Sequence, residues 1–156
     1  MPQPAENHEA YMSLALGQAR LAYELGEVPV GAVVMLDGRV VGAGYNRRET
    51  DRCATLHAEL TAIESACRTL GSWRLSDCDL YVTLEPCPMC AGAIINARVR
   101  RVIIGALDPK AGAVRSVAAL FEMPFNHRPL VTCGILEKEC AGILSEFFEL
   151  LRKKRQ

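Results

Sequence analysis

Asp79-Leu80-Tyr81-Val82-Thr83-Leu84-Glu85-Pro86-Cys87-Pro88-Met89-Cys90 is the stretch whose reading decides the fold. Asp79 to Leu84 is short and rich in β-branched and aromatic residues, which predicts a strand. Cys87 to Ala97 then reads as a helix and Val99 to Leu107 as a second strand. A helix linking two strands implies a parallel crossover, because parallel neighbours cannot be joined by a tight turn. Upstream, Met12, Leu14, Ala15, Leu16, Ala19, Leu21 and Ala22 recur at helical spacing, predicting a helix over His8 to Leu25 that Gly26 ends. Val28 to Leu36 and Arg39 to Tyr45 read as strands joined through Asp37-Gly38, a hairpin signal. His57 to Leu70 is helical in pattern, with Gly71 where a helix would stop. Further on, the sequence predicts a short helix over Val114 to Phe121, a last strand over Pro129 to Thr132 and an amphipathic helix over Ile135 to Arg152. The expected architecture is α/β: three α/β/α layers on a mixed five-stranded sheet.

A chain of 156 residues suits one domain, residues 1–156, and leaves little room for a second. Folding at that length buries roughly 68–70% of the unfolded surface, so disulfide staples are not needed. Apolar residues make up 50% and charged residues 23%, which excludes a disordered or fibrous class. No repeat or low-complexity linker interrupts the chain. Val28 to Leu36 and Val102 to Leu107 are too short to span a membrane. Met1 to Glu9 is polar and holds no signal-peptide core, so a cytoplasmic location is expected. The 7 cysteines are odd in number and only Cys87 and Cys90 are close, which favours reduced thiols or a metal site over a disulfide framework. The net charge of zero argues against a generic nucleic-acid binder. Even so, Arg98, Arg100 and Arg101 cluster, Lys110 and Arg115 follow, and Arg152-Lys153-Lys154-Arg155 lies at the end. Solvated surface is the plainer account of such runs.

The chemistry lies in His57-Ala58-Glu59 combined with Pro86-Cys87-Pro88-Met89-Cys90. Three residues apart at a helix start, Cys87 and Cys90 present both sulfurs on one face. The partial positive charge of a helix N-terminus favours thiolate, the form a metal binds. His57 begins another helix, so two N-termini can converge on one ion. One imidazole and two thiolates form a catalytic zinc pattern, with the fourth position left to water. Cys53 is the nearby candidate for closing the site as structural zinc. Strand, Cys-x-x-Cys and helix also fit a thiol redox motif. The His57 and Glu59 pair decides against that, since redox chemistry needs no carboxylate beside a distant histidine. Water activation needs a proton acceptor, and Glu59 supplies one, although a first-turn Glu also simply suits the helix dipole.

These residues match the His-x-Glu and Pro-Cys-x-x-Cys signature already known for the zinc-dependent nucleobase deaminases. Within that superfamily the chain resembles the bacterial tRNA-specific adenosine deaminases over nearly its full length. The resembling stretches are Glu27 to Val33, Tyr45-Asn46-Arg47, His57-Ala58-Glu59, Leu80 to Cys87, Met89 to Ala93, Gly105 to Lys110, Asn126-His127-Arg128 and Phe147-Phe148. The resemblance implies a cytidine-deaminase-like fold and hydrolytic deamination of the wobble adenosine in a tRNA anticodon stem-loop. It implies one zinc ion per subunit, held by His57, Cys87 and Cys90, with Glu59 as proton shuttle. Asn46, Val30, Leu84, Glu85 and Ala58 correspond to the wall around the flipped nucleoside. Asp108, Lys110, Asn126, His127 and Phe148 correspond to RNA contacts, to which the basic Arg152 and Lys153 are added. It also implies a homodimer. The family often has Asp-Pro-Thr just before His-Ala-Glu, where this chain has Arg52-Cys53-Ala54-Thr55-Leu56, and Gly where Arg115 stands. A deaminase of free guanine, cytosine or cytidine would use the same metal site, and a zinc-stabilised binding module remains the non-enzymatic alternative.

Overall fold

The computed structural model describes residues 4–155. Helix α1 (Pro4–Glu24) leads into the hairpin β1 (Gly31–Leu36) and β2 (Arg39–Tyr45). Then come α2 (Ala58–Leu70), β3 (Asp79–Leu84), α3 (Pro88–Ala97), β4 (Arg101–Ala106), β5 (Leu130–Cys133) and α4 (Glu137–Lys154). The sheet order is β2-β1-β3-β4-β5. β1 pairs antiparallel with β2 and with β3, while β3–β4 and β4–β5 are parallel, so the sheet is mixed and five-stranded as expected. Asp37 (φ 50°) and Gly38 (φ 76°) both adopt the left-handed conformation, which suits a two-residue hairpin between Leu36 and Arg39.

Alternation along the central strands sorts their side chains between two cores. Leu80, Val82, Val102 and Ile104 face α2 and α3, where they meet Ala62, Ala66, Ile94 and Ile95. Tyr81 and Ile103 face α1 and α4 and pack with Met12, Leu16 and Cys140. This period-two partition produces the three layers. Gly44 of β2 lets the first turn of α2 approach: a Cβ there would stand 2.6 Å from the Ala58 carbonyl oxygen and 2.7 Å from the Thr61 Cβ.

Several boundaries differ from expectation. α1 begins at Pro4, not His8, and β1 begins at Gly31, not Val28, because Val30 donates its N–H back to the Val28 carbonyl in a turn. β4 begins at Arg101, since the N–H groups of Val99 and Arg100 are taken by Ile94 and Cys78. β5 and α4 are each shifted toward the C-terminus, to Leu130–Cys133 and Glu137–Lys154. The expected helix over Val114 to Phe121 does not form. The backbone N–H groups of Val114, Arg115 and Ser116 donate to the Glu85 carboxylate, and only Leu120–Glu122 makes a 3-10 turn.

Candidate metal centre and substrate pocket

β3 ends at Leu84, and Glu85-Pro86 carry the chain to Cys87, the cap residue of α3, with Pro88 in the first helical position. His57 is the cap residue of α2 in extended conformation. Both caps meet at one end of the sheet. The Nδ1 of His57 stands 3.6 Å from the Sγ of Cys87 and 3.6 Å from the Sγ of Cys90. All three donor atoms lie within 4.8 Å of one another. Tetrahedral zinc with Zn–S of about 2.3 Å and Zn–N of about 2.05 Å places its S and N donors about 3.6 Å apart. The donor set therefore fits zinc in type and in spacing. Cys53 is not in this group: its Sγ lies 3.4 Å from the Thr55 hydroxyl. Among the described residues three ligands converge, the number that leaves a tetrahedral position for a reactant.

Glu59, in the first turn of α2, is buried and borders the same cavity. Burial pushes its carboxyl up to about 7, against the pull of its own backbone N–H and of His57. The Cys87 thiol is held down at about 4, chiefly by its hydrogen bond with Cys90 and then, against burial, by His57. Cys90 is pushed up by Cys87, by burial and by Glu59. His57 is raised, above all by Cys87. One thiolate beside an imidazole and a buried carboxyl is a cluster poised to exchange protons for a cation.

The cavity above these groups has a volume of about 470 Å³. The expected wall residues Asn46, Val30, Leu84, Glu85 and Ala58 all line it, as does Asp108. Asn46 Nδ2 donates to the Val28 carbonyl (3.2 Å), and its Oδ1 accepts the Arg48 N–H (3.1 Å). Of the remaining expected RNA contacts, Lys110, Asn126, Arg152 and Lys153 are exposed and outside the lining. His127 is half-buried, its Nε2 2.7 Å from the Val99 carbonyl, where it ties the approach to β5. Phe148 is 41% exposed, while its neighbour Phe147 lines the cavity and packs edge-on against Tyr23.

Sequence reasoning did not assign Glu27, Arg48, Glu49, Leu151 or Arg155 to the pocket, yet all five line it. Phe147 and Leu151 lie four residues apart on α4 and Arg155 follows four further on, just past its end, a periodicity that could have revealed the stripe. Glu27 is buried, and its carboxylate accepts the N–H groups of Glu49 (3.2 Å) and Thr50 (2.5 Å), anchoring the loop after β2. Burial raises its pKa, but those bonds outweigh burial and hold it below the ordinary value. The Glu85 carboxylate anchors the opposite wall. Burial is outweighed by the Ser116 hydroxyl and by the N–H groups of Arg115, Asp108 and Ser116, which hold it at about 2. Arg115 has no positive φ and contributes its N–H to this cluster, so a side chain is accommodated where the family often has Gly.

The sequence profile of the MafB19-like deaminase family matches residues 6–152. The tRNA-specific adenosine deaminase of Bacillus subtilis is 49% identical over 149 residues, covering 95% of this chain and 92% of its own. A chain solved in work on A-to-I editing by tRNA:A34 deaminases at the wobble position of transfer RNA superposes with a TM-score of 0.84 at 51% identity. That match covers 86% of this chain and 99% of the other. A guanine deaminase from Nitrosomonas europaea is more distant, with 27% identity, a TM-score of 0.74, and coverage of 94% and 85%.

Proposed function

Because this chain belongs to the family of tRNA-specific adenosine deaminases, we propose that it converts adenosine to inosine at the wobble position of a tRNA anticodon. The observation that carries the reading is the buried Glu59 carboxyl in one cavity with the His57, Cys87 and Cys90 donor set. His57, Cys87 and Cys90 would hold a zinc ion, one per subunit. Zinc bound there supplies Lewis-acid activation of water, bringing its pKa to about 7.

Glu59 takes a proton from the attacking water and delivers it to N1 of adenine as the oxygen adds to C6. It then takes the second proton from the hydroxyl now on C6 and passes it to the exocyclic nitrogen as the C6–N bond breaks and the C6–O bond becomes a carbonyl, so adenosine and water leave as inosine and ammonia. Asn46, Val30, Ala58 and Leu84 enclose the base and keep bulk water out. The base must leave its stack to enter, and an anticodon loop, already single-stranded, makes that cheap. Asp108 at the pocket, with Lys110, Asn126, His127, Phe148, Arg152 and Lys153 outside its lining, is assigned to RNA contact. Val117, Met123, Phe125 and Leu130 are exposed apolar residues that support pairing into a homodimer. The chain works as a single domain in the cytoplasm. No described helix is long and apolar enough to cross a membrane.

Glu59→Ala tests the shuttle. The expected variant keeps its zinc and loses about 10²–10⁴ in rate, the usual worth of placed acid–base catalysis. Wild-type turnover by a zinc-loaded variant would remove Glu59 from the mechanism. The distant guanine deaminase keeps a free-base substrate in view, but the 51% identity to a tRNA:A34 deaminase favours RNA.

A further inference from the structure

Glu85 stands two residues before a metal ligand and lines the cavity, a position from which a carboxylate could touch substrate. Its hydrogen bonds leave it no capacity to do so. Oε1 accepts the Asp108 N–H (3.0 Å) and the Ser116 hydroxyl, and Oε2 accepts the N–H groups of Val114 (3.1 Å), Arg115 (2.8 Å) and Ser116 (2.9 Å). A carboxylate offers about four lone-pair sites, and five donors already converge on them. The three consecutive N–H groups form a concave nest of the kind that binds anions, here occupied by a side chain of the same protein. Gly112 closes the cradle: a Cβ at that position would run into the Cδ and both oxygens of Glu85. The loop is further fastened by Gly112 N–H to the Asp108 carbonyl and Ala113 N–H to the Pro86 carbonyl, both 2.9 Å.

We propose that Glu85 is a positioning residue: its carboxylate is the internal anion around which residues 108–116 fold, and it thereby fixes the pocket wall that carries Asp108 and Ala111. The effect on catalysis rests on the function proposed above. The packing of the loop does not. Substrate affinity depends on the wall being formed before the nucleotide arrives, since a wall ordered only on binding lowers apparent affinity by the fraction of time it is absent.

The test uses the zinc-loaded full chain and two variants, Glu85→Gln and Gly112→Ala. The first replaces one acceptor oxygen with an amide that faces N–H donors. The second displaces the carboxylate without altering its charge. Both are expected to speed hydrogen exchange at the Val114, Arg115 and Ser116 amides by about tenfold or more, the loss expected for hydrogen bonds to a charged group. Both should raise KM for an anticodon stem-loop bearing wobble adenosine by about tenfold while kcat and zinc content stay at the wild-type level. Unchanged exchange at those amides in both variants would overturn the proposal. So would loss of zinc with kcat falling in step, which would make Glu85 a support for the metal helix. If the wild-type chain does not act on the stem-loop, the substrate assignment fails, and amide exchange still decides what holds the loop.

Discussion

Gly44→Ala separates the packing of α2 from its chemistry. The new Cβ would stand 2.6 Å from the Ala58 carbonyl oxygen, 2.7 Å from the Thr61 Cβ and 2.8 Å from the Ala62 nitrogen. Comfortable carbon–oxygen contact begins near 3.3–3.6 Å, so the first turn of α2 must lift by about 0.7–1 Å. Overpacking of this sort costs about 1–3 kcal/mol, and in a domain of this size each kcal/mol moves Tm by about 2–4 °C. The same turn carries Glu59 and follows directly on His57. A displacement of about 1 Å at a reacting group costs on the order of 10² in rate. Gly42→Ala provides the contrast. Its Cβ would collide with the Ala62 carbonyl and lie 2.7 Å from the Ala66 nitrogen, one to two turns further along the same helix. Both variants should melt earlier by similar amounts, whereas Gly44→Ala alone should lose about two orders of magnitude in kcat. Thermal melts, zinc analysis and inosine formation measure the three quantities. A Gly44→Ala protein that is destabilised yet turns over at the wild-type rate would refute the claim that this glycine places the catalytic turn.

The Asp79 carboxylate accepts hydrogen bonds from Arg101 and Arg100, which outweigh burial and hold its pKa below the ordinary carboxylate range. A depressed carboxylate stabilises the fold above its unfolded pKa and loses that contribution as pH falls through the lower folded value. Asp79→Asn should therefore cost about 1.5–3 kcal/mol at neutral pH and flatten acid unfolding below about pH 4, whereas parallel acid profiles for the two proteins would contradict this. Cys53→Ser should keep full zinc and Cys90→Ser should lose it, as read by metal analysis. Zinc loss in the Cys53 variant would make the site a closed one. Truncation after Leu151 should flatten the dependence of log K on log salt for RNA binding by about 0.7 for each phosphate contact removed. An unchanged slope would take the basic tail out of the interface.

Much of this architecture was legible because its signals are local. Leu80, Tyr81, Val82, Val102, Ile103 and Ile104 alternate between cores, and period two is written in adjacent residues. The candidate metal donors were legible because His57 and Cys87 both sit at helix starts. The loop over residues 108–116 was not. Val114 to Phe121 is apolar enough to suggest a helix, but Glu85, some 30 residues away, gathers the N–H groups of Val114, Arg115 and Ser116 onto one carboxylate, and the N–H groups of Val117 and Ala118 then turn to the Gly112 carbonyl instead of the i−4 partners a helix would give them. Tertiary hydrogen bonding overrode local pattern there. The α4 wall was half legible. Phe147 and Phe148 are adjacent and chemically alike, and only the helix phase sends Phe147 into the pocket with Leu151 and Arg155.

The central claim is that the His57, Glu59, Cys87 and Cys90 chemistry acts on adenosine within RNA. One incubation tests it: the zinc-loaded protein with an anticodon stem-loop carrying wobble adenosine, beside free adenosine, adenine, guanine and cytidine, scored for inosine and ammonia. Inosine is expected in the stem-loop at a rate far above any release from the small molecules. Ammonia from guanine or cytidine with the stem-loop left unchanged would contradict it.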